Sequence, residues 1–249
     1  MNNRMLSAKL KIFENEFKKF MNIKKFPKYK LVMKEINYET AINEQYLVLA
    51  NAHYEIKDMS HRLTISVNCN IPKDVLFHEF THMIDSEMYV NGDAVRYCGL
   101  SGFTEYHASQ IGLLKLLGCT SLNDEVTFSM NKIIYTISGG RSVYQYVEER
   151  RQLAIALFNE DDFPKDIEKL KDALGILFNY WGLRSICEMY AIDYVEEINN
   201  EVFLKHISSV DFCGLNQIMH NWLNEERIEE SISCYNNMIL SIINRYMLR

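Results

Sequence analysis

The stretch that most constrains this chain is residues 72–85, Pro-Lys-Asp-Val-Leu-Phe-His-Glu-Phe-Thr-His-Met-Ile-Asp. It holds His78, Glu79 and His82 in the pattern His-Glu-x-x-His. Residues four apart lie on one face of an α-helix, so the two imidazoles can aim at a single point. Two neutral ring nitrogens at this spacing form half of a zinc site, and a glutamate directly after the first histidine can accept a proton from water beside the metal.

The surrounding residues favour a buried helix at these positions. Asn70 can cap a helix, Pro72 suits a first turn because it has no N–H to satisfy, and Asp74 suits the positive end of the helix dipole. Apolar side chains surround the histidines, and the alternating, β-branched residues 63–67 predict a strand just before them. The alternative is two core histidines that fall four apart by chance. A strand that leads into a buried helix favours the metal site.

A catalytic zinc takes three protein ligands and leaves one position for water, so a third ligand must come from elsewhere. Glu105 lies in the next predicted helix, on the same face as Ala108, Ser109 and Gly112. Small side chains there would let this helix approach the His78 helix closely. A glutamate buried on that face is costly without a partner, and a metal supplies one. The sequence therefore predicts Glu105 as the third ligand.

Two other residues near the motif compete for that role. Asp85 lies about 10 Å along the helix axis from His78, so it could at best accept a hydrogen bond from a ligating histidine, and it could equally be solvated. His107 is two residues from Glu105 and points to nearly the opposite side of its helix, together with Phe103.

The remaining candidate side chains cannot be ranked by spacing. Residues able to stabilise an oxyanion are Tyr106, His107, Tyr135, Tyr144 and Tyr146. With 15 tyrosines in the chain, most of these are expected to pack. Four histidines are isolated in the sequence and are expected to be structural: His53, His61, His206 and His220.

Composition sets further limits. The 249 residues are 48% hydrophobic and include only 3 prolines and 10 glycines, which favours a helix-rich globular fold. The N-terminus has no apolar signal region, and the most apolar stretch, near 173–183, is interrupted by Asn179 and too short to cross a membrane. A soluble, cytoplasmic protein that contacts no membrane is expected. The six cysteines are scattered without a Cys-x-x-Cys pair, so free thiols are expected.

Charge is unevenly distributed along the chain, whose net charge is −6. Residues 1–34 carry ten Lys or Arg and two Glu, a net of +8, whereas residues 35–249 carry 17 Lys or Arg and 31 Asp or Glu, a net of −14. The basic stretch is most simply a solvated helix face, although it could contact nucleic acid or an acidic partner. It has no recognition motif, so nucleic acid is the less favoured partner.

The order of predicted elements gives an α+β architecture. Residues 4–22 predict a helix, and residues 30–36, 45–50 with an extension at 52–56, and 63–67 predict a small sheet of three or four strands. No strand is predicted after Asn123. The further predicted helices cover 72–88, 102–117 up to Gly118, 124–137, 142–159, 165–191, 193–206, 212–224 and 226–247. We expect a domain over 1–122 that carries the site and a helical subdomain over 123–249; the alternative is one compact domain, because no linker separates the halves.

His78-Glu79-x-x-His82 with a glutamate on a following helix resembles the gluzincin metallopeptidases, and Glu105-x-x-Ala108 in a small chain resembles their ImmA/IrrE branch. The resemblance covers residues 60–118. It implies a zincin-like N-terminal part, an association with phage, prophage or stress responses, and a repressor-type regulator as substrate. Thermolysin-like gluzincins place an aspartate four residues after the glutamate ligand, where this chain has Ser109.

These observations predict a zinc-dependent metallopeptidase that hydrolyses a peptide bond in a cytosolic protein. Glu79 would be the general base, and His78, His82 and Glu105 would hold Zn²⁺. The alternative is a mobile-element-associated regulator or toxin that uses a zincin-like fold mainly to bind a partner. Purely structural zinc is disfavoured, because such sites prefer four ligands and usually include cysteine.

Overall fold

The structure is a computed structural model that describes residues 3–35, 49–67, 70–196 and 200–247. Its N-terminal elements run in the order α1 (Asn3–Phe20), β1 (Tyr29–Lys34), β2 (Ala50–Glu55), β3 (Ser60–Ser66), α2 (Lys73–Tyr89) and α3 (Ala94–Leu116). A hairpin and helices follow: β4 (Ile133–Thr136), β5 (Gly139–Ser142), α4 (Val143–Phe158), α5 (Ile167–Tyr190), α6 (Glu201–Leu204), α7 (Ser209–Ile218) and α8 (Glu225–Tyr246). The predicted α+β class, with a small sheet and a helical C-terminal half, is confirmed.

The sheet that precedes the His-Glu-x-x-His helix has the strand order β1-β3-β2. Strand β1 runs parallel to β3, and β2 runs antiparallel to it. Leu63 and Ile65 of β3 are buried and share one face of the sheet, as the alternating pattern predicts. Most of the predicted strand at 45–50 lies outside the described residues. Among the described residues the sheet therefore has three strands, with β2 at one edge.

Aromatic side chains join α1 to α2. Phe17 makes edge-to-face contacts with Phe77 at 5.1 Å and Phe80 at 5.5 Å between ring centroids, and Phe20 contacts Phe77 at 5.6 Å. Phe26, just after α1, contacts Phe80 at 5.0 Å. Such pairs contribute about 0.5–1.5 kcal/mol each beyond the area they bury. This cluster fixes one side of α2 and leaves its other side to the histidines.

The C-terminal half departs from the prediction at two places. Residues 124–137 were expected to be helical, but β4 and β5 form an antiparallel hairpin instead. The β-branched run 133–137 favours a strand, and Gly139 at φ +103° supplies the turn conformation that L side chains rarely adopt. Tyr135 lies across Gly140 of the partner strand. The prediction of no strand after Asn123 is therefore wrong.

The second departure is at residues 193–206, of which only α6 is helical among those described. The carboxylate of Asp193 accepts hydrogen bonds from the Ser129 hydroxyl at 2.7 Å and the Met130 N–H at 2.8 Å. These bonds tie Asp193, in the turn after α5, to residues 129 and 130, so the chain does not continue as a helix there. The predicted helix at 212–224 begins and ends earlier, as α7, and Asn221 beyond it adopts φ +60°.

Contacts between Cα atoms divide the chain into two compact units. One comprises Met1–Asp93 and Ile111–Glu125, and it holds α1, α2 and the three-stranded sheet. The other comprises Ala94–Gln110 and Val126–Arg249, and it holds the hairpin and α4 to α8. Helix α3 contributes residues to both, so the predicted division at residue 122 stays a prediction. Within the ranges the structure describes, no helix combines the length and apolarity needed to cross a membrane.

Candidate metal centre

Helix α2 begins close to the predicted position, but Asn70 is not its capping residue. Pro72 is the N-cap residue in an extended conformation, and no side chain caps the helix. The side-chain oxygen of Asn70 instead accepts a hydrogen bond from Lys9 Nζ at 2.6 Å, so the expected role of Asn70 is wrong. Asp74 lies in the first turn as expected, and burial raises the pKa of its carboxyl above the ordinary value.

The two histidines of the motif lie side by side on α2. Their ring centroids are 4.7 Å apart and their planes are at 83°. Both histidines are half-buried. The neighbouring Phe77, Phe80 and Met83 of the same helix are fully buried. The helix therefore buries its apolar side in the core and keeps the imidazole pair near the protein surface.

Glu105 of α3 joins the histidines. One ligand atom from each of His78, His82 and Glu105 lies within 4.8 Å of the other two, and all three residues are half-buried. In a tetrahedral site with bonds of about 2.1 Å, ligand atoms are about 3.4 Å apart. Separations of at most 4.8 Å exceed that value by no more than about 1.4 Å, which is within the reach of side-chain rotation. This His-His-Glu group could hold a metal ion, and its two nitrogens and one oxygen suit zinc as well as other first-row metals.

Glu79 is held by the backbone of the sheet. Its side chain is buried, and its Oε2 accepts a hydrogen bond from the N–H of Ala52 at 2.5 Å. Ala52 lies in β2, the edge strand that packs against α2. No sequence pattern indicates this contact, because it joins residues 27 positions apart through a main-chain atom. The carboxylate next to the first histidine therefore has a defined position.

The packing of α3 explains how Glu105 is presented. An added Cβ at Gly102 would lie 2.6 Å from a Tyr235 ring carbon and 2.8 Å from Phe178, so only glycine permits this contact. An added Cβ at Gly182 of α5 would lie 2.1 Å from the carbonyl oxygen of Tyr106. At Gly175, about two helical turns earlier, it would lie 3.9 Å from Glu105 Cγ, which is ordinary van der Waals contact. Gly182 thus lets α5 lie close to the backbone of α3, while Gly175 leaves the Glu105 side chain in ordinary van der Waals contact with α5.

The small-residue face predicted for α3 is divided between two neighbours. Gly112 faces the start of α2, where an added Cβ would lie 3.9 Å from the carbonyl oxygen of Asp74. Ser109 instead faces α5, and its hydroxyl donates to the side-chain oxygen of Asn179. The expectation that this whole face approaches the His78 helix is therefore corrected. Gly118 at φ +95° ends the helix as predicted, with the Cys119 N–H bonded to the Leu114 carbonyl at 3.0 Å.

The competing residues lie outside the His-His-Glu group. Asp85 is buried, with a relative exposure of 1%, so it is not the solvated residue considered above. His107 stacks on Phe103 at 5.4 Å and meets Trp222 edge-on at 6.1 Å. The hydroxyl of Tyr106 donates to the carbonyl of Asn221 at 2.6 Å, and burial raises the pKa of this tyrosine.

The other candidates are distributed over the molecule. Tyr135 and Tyr144 are exposed on and beside the β4–β5 hairpin, and Tyr146 is half-buried on α4. The isolated histidines each have a partner other than the candidate ligands: His53 with Glu55 at 3.9 Å, His61 with Glu87 at 3.0 Å, His206 with Tyr246 at 3.1 Å and His220 with Glu188 at 2.9 Å.

No protein-family model, curated protein sequence or solved structure matches this chain. The resemblance to gluzincins therefore rests on the motif, on the spacing to Glu105 and on the grouping of these three side chains.

Proposed function

We propose that this chain is a zinc-dependent metallopeptidase of zincin-like fold that cleaves a peptide bond in a cytosolic protein. The observation that carries the proposal is the grouping of His78, His82 and Glu105 within 4.8 Å, with Glu79 adjacent in sequence to the first ligand. Three protein ligands that leave room for water are typical of catalytic zinc sites, whereas structural sites use four.

Each residue has a separate role in this proposal. His78, His82 and Glu105 would hold the ion, which when bound supplies a water of lowered pKa and polarises a carbonyl group. Glu79 takes the proton from the attacking water and delivers it to the leaving nitrogen, so the products are a carboxylic acid and an amine. The bond from the Ala52 N–H restricts the Glu79 carboxylate to one place, which reduces the reorganisation needed for proton transfer.

The substrate class follows from the resemblance alone. Gluzincins of the ImmA/IrrE branch imply a repressor-type regulator in the cytoplasm and a link to phage or prophage. The alternative, a regulator or toxin that uses this fold mainly to bind a partner, differs from the peptidase in one respect. It predicts that binding persists without any cleavage.

The experiment compares the wild type with Glu79→Gln by metal analysis and by a proteomic screen for cleaved proteins. Glu79→Gln is expected to keep a full equivalent of metal and to lose cleavage by about 10²- to 10⁴-fold, since it removes proton transfer and not a ligand. Glu149→Gln, an exposed glutamate that pairs with Arg141, is the control and should retain cleavage. Metal loss from Glu79→Gln would contradict its role as base. A metal-loaded wild type that cuts nothing and still captures a partner would support the alternative.

A further inference from the structure

Residues 18–34, here called the lysine segment, contain seven lysines and no acidic residue, in a chain whose net charge is −6. The lysines are Lys18, Lys19, Lys24, Lys25, Lys28, Lys30 and Lys34. All but Lys18 are exposed. Elsewhere in this compact unit, Lys11 pairs with Glu14 and Lys73 with Glu16. In the part of the chain that the structure describes, none of the seven lysines of the segment forms an ion pair.

Part of this charge has a structural explanation. Lys18 and Lys19 lie in the last turn of α1, where cations stabilise the negative end of the helix dipole. The later lysines follow the helix, so the dipole does not account for them. The sequence alone favoured a solvated helix face, but five of the seven lysines are not on the helix.

The register of the sheet adds a second observation. Lys30 of β1 is the direct partner of Arg62 of β3, and both side chains are exposed. Paired strands lie about 4.8 Å apart, and like charges directly opposite each other destabilise a sheet. Neither cation forms an ion pair with a described carboxylate. This pairing therefore costs stability, which points to a role outside folding.

These cations share one surface. Side chains alternate along a strand, so Lys30 and Lys34 point to the same side of β1, about 13 Å apart. The opposite side of the sheet carries the buried Leu63 and Ile65. The outer side thus presents Lys30, Lys34 and Arg62, here called the cationic face, with the other lysines of the segment preceding it along the chain.

We propose that the cationic face binds the phosphate backbone of a nucleic-acid duplex without reading its sequence. Rows of lysine neutralise phosphates by releasing counterions, and this needs no fixed hydrogen-bond geometry. Lys30 and Lys34 are compact point charges, and Arg62 is the one residue of the cationic face with the planar fork that reads a guanine edge in bidentate fashion.

Other polyanions fit the surface less well. The aromatic residues of the lysine segment are already engaged, since Phe26 packs on Phe17 and Phe80 and the Tyr29 hydroxyl donates to Glu14 at 2.5 Å. They are therefore not free to stack on single-stranded bases. No large apolar side chain of residues 18–34 is exposed, and insertion into a membrane interface needs such side chains.

The test uses the full chain with its metal content unchanged, and its readout is duplex binding, which does not require cleavage. Fluorescence anisotropy measures binding to two short DNA duplexes of unrelated sequence between about 50 and 200 mM salt. The wild type should bind both equally, with log K falling by about 0.9 per contacted phosphate for each unit of log salt. The triple variant Lys30→Gln/Lys34→Gln/Arg62→Gln should bind at least about tenfold more weakly at the lowest salt, with a slope shallower by about 2.7 units.

The matched control is Lys165→Gln/Lys171→Gln/Lys205→Gln, which removes the same charge from exposed lysines of the C-terminal half. It should leave the slope unchanged. The cationic-face variant should keep or raise its melting temperature because like charges no longer oppose each other, so weaker binding cannot be attributed to unfolding. The proposal is overturned by absent duplex binding up to about 10⁻⁴ M, by equal slopes for both triple variants, or by preferential binding to anionic vesicles or polyglutamate.

Discussion

Helices α2 and α3 supply the candidate ligands in different ways. In α2, the spacing of four residues is enough to place His78 beside His82, whatever the rest of the chain does. In α3, Glu105 is a single side chain whose position depends on packing against α5, where Gly182 leaves room for the carbonyl oxygen of Tyr106. The comparison shows that half of this site is a local property of the sequence, whereas the other half is a property of the tertiary structure.

The largest expected effects come from removing the ligands themselves. His78→Ala, His82→Ala and Glu105→Ala should each weaken zinc binding by more than the roughly 100-fold typical of losing an outer-shell partner. Metal stoichiometry and competition with a chelating dye measure this. His107→Ala is the control, because His107 stacks on Phe103 and lies outside the group. Release of metal by His107→Ala alone would show that α3 contributes a different ligand.

Removing the metal should destabilise the protein, because the ion binds residues of two helices that are not assembled in the unfolded chain. At a free zinc concentration of about 100 times Kd the ion contributes about 2.7 kcal/mol to the free energy of unfolding. Chelation should therefore lower the melting temperature of the wild type and leave that of His78→Ala nearly unchanged. Identical melting curves for the wild type with and without bound metal would argue against this site.

A third prediction separates the packing of α3 from the chemistry of the ligands. Gly182→Ala forces a methyl group to within 2.1 Å of the Tyr106 carbonyl oxygen, so α5 must move away from α3. The variant should lose about 1–3 kcal/mol of stability and bind metal more weakly, although every ligand is still present. Denaturant unfolding and metal titration measure the two effects.

Gly112→Ala is the matched control for this substitution. An added methyl group there would lie 3.9 Å from the nearest atom, and alanine is favoured over glycine in a helix by about 1 kcal/mol. Its stability should be equal to or greater than that of the wild type. If Gly112→Ala and Gly182→Ala lose stability equally, the close packing of α5 on α3 at Gly182 does not explain the effect of the Gly182→Ala substitution.

The smallest expected effect concerns the edge strand. Ala52→Pro removes the N–H that binds Glu79, and the loss of one hydrogen bond to a charged group should cost about 1.5 kcal/mol, or roughly tenfold in kcat. Metal content should not change. Ala52→Gly keeps the N–H and serves as control. An equal fall in kcat for Ala52→Gly would attribute the effect to the strand conformation rather than to this bond.

The elements predicted best are those with a strong local pattern. The predicted bounds of five helices and two strands agree with the observed bounds to within a few residues. These elements are α1, α2, α4, α5, α8, β1 and β3. The β4–β5 hairpin was missed because its strands have four residues each, too few to show a period against a helical background. The prediction of a helix at 193–206 is wrong because the Asp193 carboxylate accepts a hydrogen bond from the N–H of Met130, 63 residues earlier.

Local sequence is enough to predict the histidine pair, the adjacent Glu79 and the buried character of their helix, because each depends on residues within two helical turns. It also pointed to Glu105 through its small neighbours. Other features are visible only in the folded chain: Ser109 faces α5 while Gly112 faces α2, the Ala52 N–H binds Glu79, and Lys30 lies opposite Arg62. These contacts join residues far apart in the chain, and neither helical nor strand periodicity specifies which distant surface a given face will meet.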